Sequence, residues 1–546
     1  MANDNEAQQD IARFKKLDGD RQNNKNVWQD ISGYILPRKA DIKFKRSRGQ
    51  EKIRKQFDST APNAHELLAS FLSGTLTSTS IPWFGIKAKD PQVAAIDEVN
   101  NWTDAVSRRM LEAFNESNHR LQAHEEFLDL TSFGTALTIQ ESLDDSKPFE
   151  ELVFKNYFIQ DFVIAENSKS LVDTVIRRFK FTARQARQEW GKERLTKSIK
   201  EALQENNFEK QFLFYHVIKP KADTGKKISS ELEYTNFIIC DKDKEYIQDD
   251  KGYHEWPCTV PRWAHTSDDV WGYGIGHKVL PDVRVVNKVI ELILARWPKD
   301  IDPPLLTPEG MPKLDLRAGK QNSVPRAMIE AVKPLLSNKD AQSNQISLEN
   351  RVDQIEKAFF TNQLQMQKQA QMTATESTII FELMERMMGP VLGRNEVEIF
   401  TPRSNRAFGI MNRGGAFRDI PLSEEALKSI VGNIKVEFIG PLARSQKLKD
   451  AQATSQWIRE SVEASTTTGK VEILDYINWD EWVQENGRGK GVPESLIVDD
   501  ADVEEIREER AQRIAEAQEK EDAKDLVDAA GKLGKIGGGD AEGQVA

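Results

Sequence analysis

Between Trp271 and Ile399 two amphipathic helical runs flank a stretch that cannot be helical, and any fold of this chain must accommodate that out-and-back path. After Trp271-Gly272-Tyr273-Gly274-Ile275-Gly276, apolar residues recur at Val279, Val283, Val286, Ile290, Ile293 and Trp297, spacings of three and four that mark one helical face. Pro281 suits the first turn of such a helix, and Pro298 is expected to end it. Pro303 and Pro304 then force extended geometry on the residues before them. A second run, Leu348, Val352, Ile355 and Phe359, starts after Ser347, a candidate N-cap with Glu349 in the first turn. A polar turn, Gln363–Gln371, follows. Thr373-Ala374-Thr375-Glu376 then matches a capping box and opens a third run, Ile379, Ile380, Leu383 and Met387, which Gly389-Pro390 is expected to kink or break.

The rest of the chain divides by texture. A helical face at Ile11, Phe14, Leu17, Trp28, Ile31 and Ile35 has a polar middle near Gln22-Asn23-Asn24. Arg38 to Lys55 is rich in Lys and Arg, either a solvated loop or a contact for DNA or an acidic partner. Apolar helices are expected around Leu68 and Phe71, around Trp102 and Met110, and near Phe127. From Gly134 to about Val270 short β-branched and aromatic runs take over: 135–140, 152–154, 158–159, 162–164, 175–179, 211–218, 234–239 and around 260–263. A helix from Thr182 to Trp190 interrupts them. Ile434–Ile439 reads as a strand, Ala443–Val462 and Val471–Glu485 as helices, and Gly487–Gly491 as a loop. Val503–Val527 is a charged helix with sparse apolar residues, and Gly531–Ala546 is expected to be disordered.

The order of the motifs is more specific than any one of them. ILPRK, FDSTAP…LLASFLSGTLTS, PWFGIK, YGIG…LPDVRVVNK…DPPLL, MTATE, GPVL and VEFIGPLARSQK resemble, in that sequence, the portal or head-to-tail connecting protein of short-tailed bacteriophages. The resemblance spans Arg13 to Gln456. It implies a mainly helical α+β subunit with the portal-protein fold. The wing would cover 1–270, a stem helix 271–299, a clip 300–345 and a second stem helix 346–367. A tunnel loop would follow at 368–372, a kinked helix returning to the wing at 373–440, a helical crown at 441–502, and a charged helix and tail at 503–546.

The implied function is a homododecameric ring at one capsid vertex, through which viral DNA is packaged and ejected. Implied partners are the chain itself, double-stranded DNA, terminase, tail adaptor, internal core, scaffold and capsid proteins. The implied location is the virion, after synthesis in the host cytoplasm. A phage adaptor or scaffold-binding protein without a channel is the alternative.

Three groups of residues are candidates within that frame. Lys368, with Gln369 and Gln371, would face the DNA channel; repeated around a ring, the single lysine becomes a band of positive charge. A solvent-exposed polar helix end reads equally well. Arg317, Lys320 and Arg326 could line an exit, ordinary surface charge being the commoner reading. Val283, Val286, Ile290, Trp297, Val352, Ile355 and Phe359 would pack the stem.

Composition narrows the other classes. A net charge of −11 argues against a surface that grips DNA everywhere, since such binding needs many Lys/Arg–phosphate contacts. It is compatible with a channel wall over which DNA slides. No apolar run is long enough for a membrane span, and the polar N-terminus does not read as a secretory signal. Cys240 and Cys258, the only cysteines, cannot build a disulfide framework or a cysteine zinc site, and they suit a reducing cytoplasm. Gly469-Lys470 and Gly489-Lys490 lack the spacing of a P-loop, and His277 stands where the third glycine of a dinucleotide loop would be. Neither a zincin pattern among the seven histidines nor a Gly-x-Ser-x-Gly elbow exists. No cofactor and no enzymatic activity are expected; a nuclease or packaging ATPase lacks its motifs.

Overall fold

The structure, a computed structural model, describes residues 2–43, 56–79, 83–94, 96–142, 148–301, 305–307, 309–311, 313–317, 319–329, 332–334, 341–366, 387–430, 434–439, 441–490, 492, 496, 498, 503–518 and 520. Helices and antiparallel sheets alternate along the chain, an α+β arrangement. It divides into two compact units: residues 1–87, 105–421 and 435–442 form one, and 88–104, 422–434 and 443–546 the other.

The first unit begins with α1 (Ala2–Asp20) and α2 (Gln22–Tyr34). The sequence suggests one interrupted face, and the interruption is Arg21. Its guanidinium is fully buried, donating to the carbonyls of Ile159 and Gln160 (2.8 Å to the latter) and pairing with Asp18 at 2.7 Å. α3 (Thr60–Leu76) and α4 (His119–Phe133) follow.

The β-rich segment folds into strands where the β-branched and aromatic runs predict them. Strands β1 (Leu137–Ser142), β2 (Leu152–Tyr157), β3 (Phe162–Glu166), β4 (Val172–Thr182), β5 (Gln211–Ile218), β6 (Phe237–Cys240), β7 (Glu245–Gln248) and β8 (Cys258–Thr259) make two sheets. One is an antiparallel meander, β3-β4-β5-β6-β7; the other has the order β8-β1-β2. Period-2 geometry sends successive side chains of β5 to opposite faces. Tyr215 and Val217 pack under Ile11 and Phe14 of α1, while Phe212 and Phe214 pack against α5 (Ala183–Trp190) and α6 (Lys197–Gln204). Thr182 caps α5 with a complete capping box through Gln185.

Residues 158–159, expected to be extended, enter a 3₁₀ turn at Ile159–Asp161. Burial of Ile159 at that turn, with its carbonyl on Arg21, overrides the β-branched propensity.

Beyond the sheets come α7 (Ile275–Ile301), α8 (Ala341–Ala358) and, after a short helix at Thr361–Met366, α9 (Thr401–Arg413). α7 starts too early for Pro281 to lie in its first turn, and it runs three residues past Pro298. Both prolines lie at exposed positions, where a lost N–H is tolerable. Ser347 lies inside α8 rather than at its cap. Phe360, with a left-handed φ of 58°, separates Ala358 from the helix at Thr361. Residues 387–395 stay helical through Gly389 and Pro390, and the irregularity falls later, in a π turn at Glu396–Phe400. Phe84–Ala88 pairs with Ile434–Phe438 as a two-stranded ribbon.

In the second unit the main helices are Pro441–Thr468 and Trp479–Lys490, joined through a 3₁₀ turn at Val471–Tyr476. The glycines at 487 and 489, expected in a loop, extend the helix. Asn486 and Lys490 both reach the Ser455 hydroxyl, at 2.8 and 3.1 Å, which holds that last turn against the longer helix. Residues 503–518 are helical. The basic residues from Lys45 to Lys55, the Thr373–Glu376 capping box and the glycine-rich tail lie outside the described residues.

Candidate functional site

The glycine run before α7 fixes where the out-and-back path begins. Gly134, at φ +83°, ends α4 in a left-handed conformation and lies directly against Gly272 and Gly274. A Cβ on Gly274 would come within 2.7 Å of the Thr131 carbonyl oxygen and 2.8 Å of that of Ser132. Only hydrogen fits between these two backbones. The apparent nucleotide-loop spacing therefore serves backbone-to-backbone packing. Trp271 completes the joint, meeting Trp28 edge-on at 5.0 Å with Arg21 over its ring at 5.4 Å.

From that joint α7 passes through two environments. Val279, Val283 and Val286 are buried against α2, α4 and α8, and Ile355 and Phe359 of α8 are buried with them. Val352 and Ile290 are partly covered. Asn287 donates to the Val283 carbonyl at 2.9 Å and accepts from the backbone N–H groups of Phe57 and Asp58 at 2.8 and 3.1 Å. Asp282 pairs with Arg351 across the two helices, and Arg284 with Asp30 of α2. His65 of α3 meets the Phe359 ring at 5.9 Å and the Leu128 carbonyl at 3.0 Å. Burial drives its pKa down to about 4, so the ring is neutral.

Past Ile290 the cover ends. Leu292, Ile293, Leu294, Trp297 (58% exposed) and Ile301 (84%) are apolar and open. Such a contiguous apolar surface on one helix signals a partner surface.

The path returns through α9. Arg403 is fully buried and donates to both Glu126 oxygens, at 2.8 and 2.7 Å, and to the Thr259 hydroxyl at 2.8 Å. His119 lies 3.2 Å away, stacked on Trp83 at 5.6 Å, and burial holds its pKa well below the usual value. In the π turn, Glu398 pairs with Arg262 at 2.7 Å and accepts from the Arg262 backbone N–H at 2.7 Å. These buried pairs lock the returning helix to the sheet. Sequence reasoning missed them, because burial of a charge is not visible in its spacing.

Among the exit candidates, Arg317 is answered locally by Asp315 at 2.5 Å, and Asn322 clasps the Asp315 backbone at 2.7 and 2.8 Å. Lys320 and Arg326 are exposed on the same excursion. Leu305 and Leu306 pair with Pro334 and Lys333 at its base. Lys368, Gln369 and Gln371 lie outside the described residues. Cys240 and Cys258 are both buried and free. Among the described residues no cluster of potential metal ligands occurs, and no helix is long and apolar enough to cross a membrane.

Comparison with known proteins gives a consistent picture. The family model of the bacteriophage head to tail connecting protein matches residues 7–498. The portal protein of Salmonella phage epsilon15 is 26% identical over 521 residues, covering 91% of this chain and 89% of that protein. A probable portal protein of Bordetella phage BPP-1 is 26% identical over 516 residues, covering 91% and 90%. Among solved structures, a chain from the neck of an empty GTA particle, computed with C6 symmetry, matches at 10% identity with a TM-score of 0.35, over 83% of this chain and 97% of that one. Likeness at that level carries no inference.

Proposed function

This chain belongs to the bacteriophage head to tail connecting proteins, and from that premise we propose that it is a portal subunit, building a homo-oligomeric ring at the capsid vertex where head meets tail. The observation that carries the ring is the open end of α7. Val279, Val283 and Val286 are covered by their own chain, whereas Leu292, Ile293, Leu294, Trp297 and Ile301 need cover that the described residues do not supply. A neighbouring copy presenting the same helix pair provides that cover through a repeated contact that closes into a ring.

In this reading α7 and α8 are the stem, the excursion between them is the clip, and the β-rich part of the first unit is the wing. The helices from Pro441 form the crown. Double-stranded DNA passes along the axis; terminase docks during packaging, and tail and core proteins afterwards. The role is structural, and the chain performs no catalysis of its own. It acts in the virion, after synthesis in the host cytoplasm.

Electron microscopy of the purified protein tests the proposal. A ring with an axial hole is expected, and a solid assembly or a monodisperse monomer overturns it. Lys368 is proposed to meet the axis, where lysine–phosphate contacts are salt-dependent and independent of sequence. Lys368→Glu should then leave ring yield unchanged and lower DNA content per head; full heads would remove the lysine from the channel.

A further inference from the structure

We propose that the open edge of β4 is a docking site for an extended acidic peptide supplied by another protein chain. β3 pairs with β4 only as far as Phe162 opposite Arg177. On its other side β4 stays paired with β5 out to Thr182 opposite Gln211. From Arg178 to Thr182, therefore, no strand lies on the β3 side among the described residues. A cleft of about 510 Å³ opens along this edge as far as Lys180, walled by the turn after β2 and by Arg38, Lys39 and Asp41.

The charges in the cleft are unevenly answered. Arg38 and Lys39 are paired with Glu125 at 2.8 and 3.1 Å, and Lys39 also with Asp129 at 2.6 Å. Arg177, Arg178 and Lys180 form no ion pair among the described residues. Arg177 is held by aromatic rings instead, 4.2 Å over Tyr157 and 4.3 Å over Phe179, and its buried Nε has no hydrogen-bond partner among those residues. A preoriented guanidinium with an unused buried donor is suited to a carboxylate. Asp41 and Asp161 also line the cleft, so its field is not uniformly positive.

That mixture, together with the strand edge, favours a peptide over nucleic acid. Only another polypeptide backbone pairs with the N–H and C=O groups that an edge strand exposes. A nucleic acid backbone, a continuous line of phosphates, would meet both carboxylates without using those groups. An Asp- or Glu-bearing strand added beside Arg178–Lys180 uses both features, the backbone giving affinity and the cations giving selectivity; Thr182, whose N–H is taken by Gln185 in the cap of α5, marks the end of the free edge.

Fluorescence anisotropy with the full chain and a labelled peptide of alternating Glu and Val tests this. Saturable binding is expected. Lys180→Glu, a change at an exposed position whose folding is checked by thermal melting, should weaken it roughly tenfold. N-methylation of alternate peptide nitrogens should abolish it. Absence of saturable binding overturns the site, as does equal affinity for a Lys/Val peptide. Equal binding by the Lys180→Glu chain removes the peptide from this cleft, and undiminished binding of the N-methylated peptide removes strand addition. Displacement of the peptide by short duplex DNA, with the same dependence on Lys180, assigns the cleft to nucleic acid instead.

Discussion

The two halves of α7 have nearly the same apolar content and opposite fates. Val279, Val283 and Val286 disappear into the chain's own core; Leu292, Leu294, Trp297 and Ile301 stand open. The difference teaches that periodicity identifies a face needing cover without saying which molecule covers it. For the first half the answer is intramolecular and contributes to folding. For the second, under the ring proposal, it is intermolecular and contributes to assembly.

Substitutions in the two halves should therefore separate folding from association. The largest effect is expected at Val286, which is fully buried. Val286→Asp would leave an unpaired charge in the core and cost on the order of 4 kcal/mol or more. Circular dichroism should show a chain that does not fold or melts far below the parent; a native-like melt would mean that this half is not core.

Next comes the joint from which the buried half starts. Gly274→Val places a side chain against backbone atoms that have no room to move, with about 3 kcal/mol of destabilisation expected from overpacking. Denaturant unfolding measures it, and an unchanged midpoint would show that the two backbones separate at little cost.

A smaller, pH-dependent effect should appear at His65, which packs on the α8 end of the buried half. Its folded pKa, about 4, lies below the ordinary 6.5 because burial disfavours the imidazolium. The unfolded chain thus binds a proton that the folded one refuses. Stability from this group is fully present above pH 6.5 and is lost as pH falls towards 4. His65→Gln, which cannot titrate, should flatten that acid limb when unfolding free energy is measured across this window. An identical limb in both proteins would assign the loss to other groups.

The smallest effect on stability is expected in the open half. Trp297→Ser should change the melting of the dissociated subunit by no more than about 0.5 kcal/mol, since the ring is mostly solvated there. Size-exclusion chromatography should nevertheless show loss of the ring. Intact rings would mean that Trp297 is not in the subunit contact, and a large fall in subunit stability would erase the distinction between the halves.

Much of the architecture was legible in the sequence, for local reasons. Enrichment in β-branched and aromatic residues marked β5 at its observed limits, Gln211–Ile218, and the helix expected from Thr182 to Trp190 matches α5 within a residue. The glycines at 272, 274 and 276 marked where α7 begins, and the family resemblance rested on motifs dispersed along the chain. These features depend on neighbours a few residues apart, so the order of residues suffices to fix them. What spacing could not reveal depended on contacts across hundreds of residues. The partner of Arg403 is Glu126, and that of Arg262 is Glu398. The glycine run before α7 proved to be a close approach to Gly134, and the expected break at Gly389-Pro390 moved to the π turn where Glu398 meets Arg262. Helix and strand are decided by local torsional preference and by the period of apolar residues. Which charge is buried, and which apolar stripe is left for a second subunit, is decided by how those elements pack, because desolvation depends on everything that surrounds a group in space.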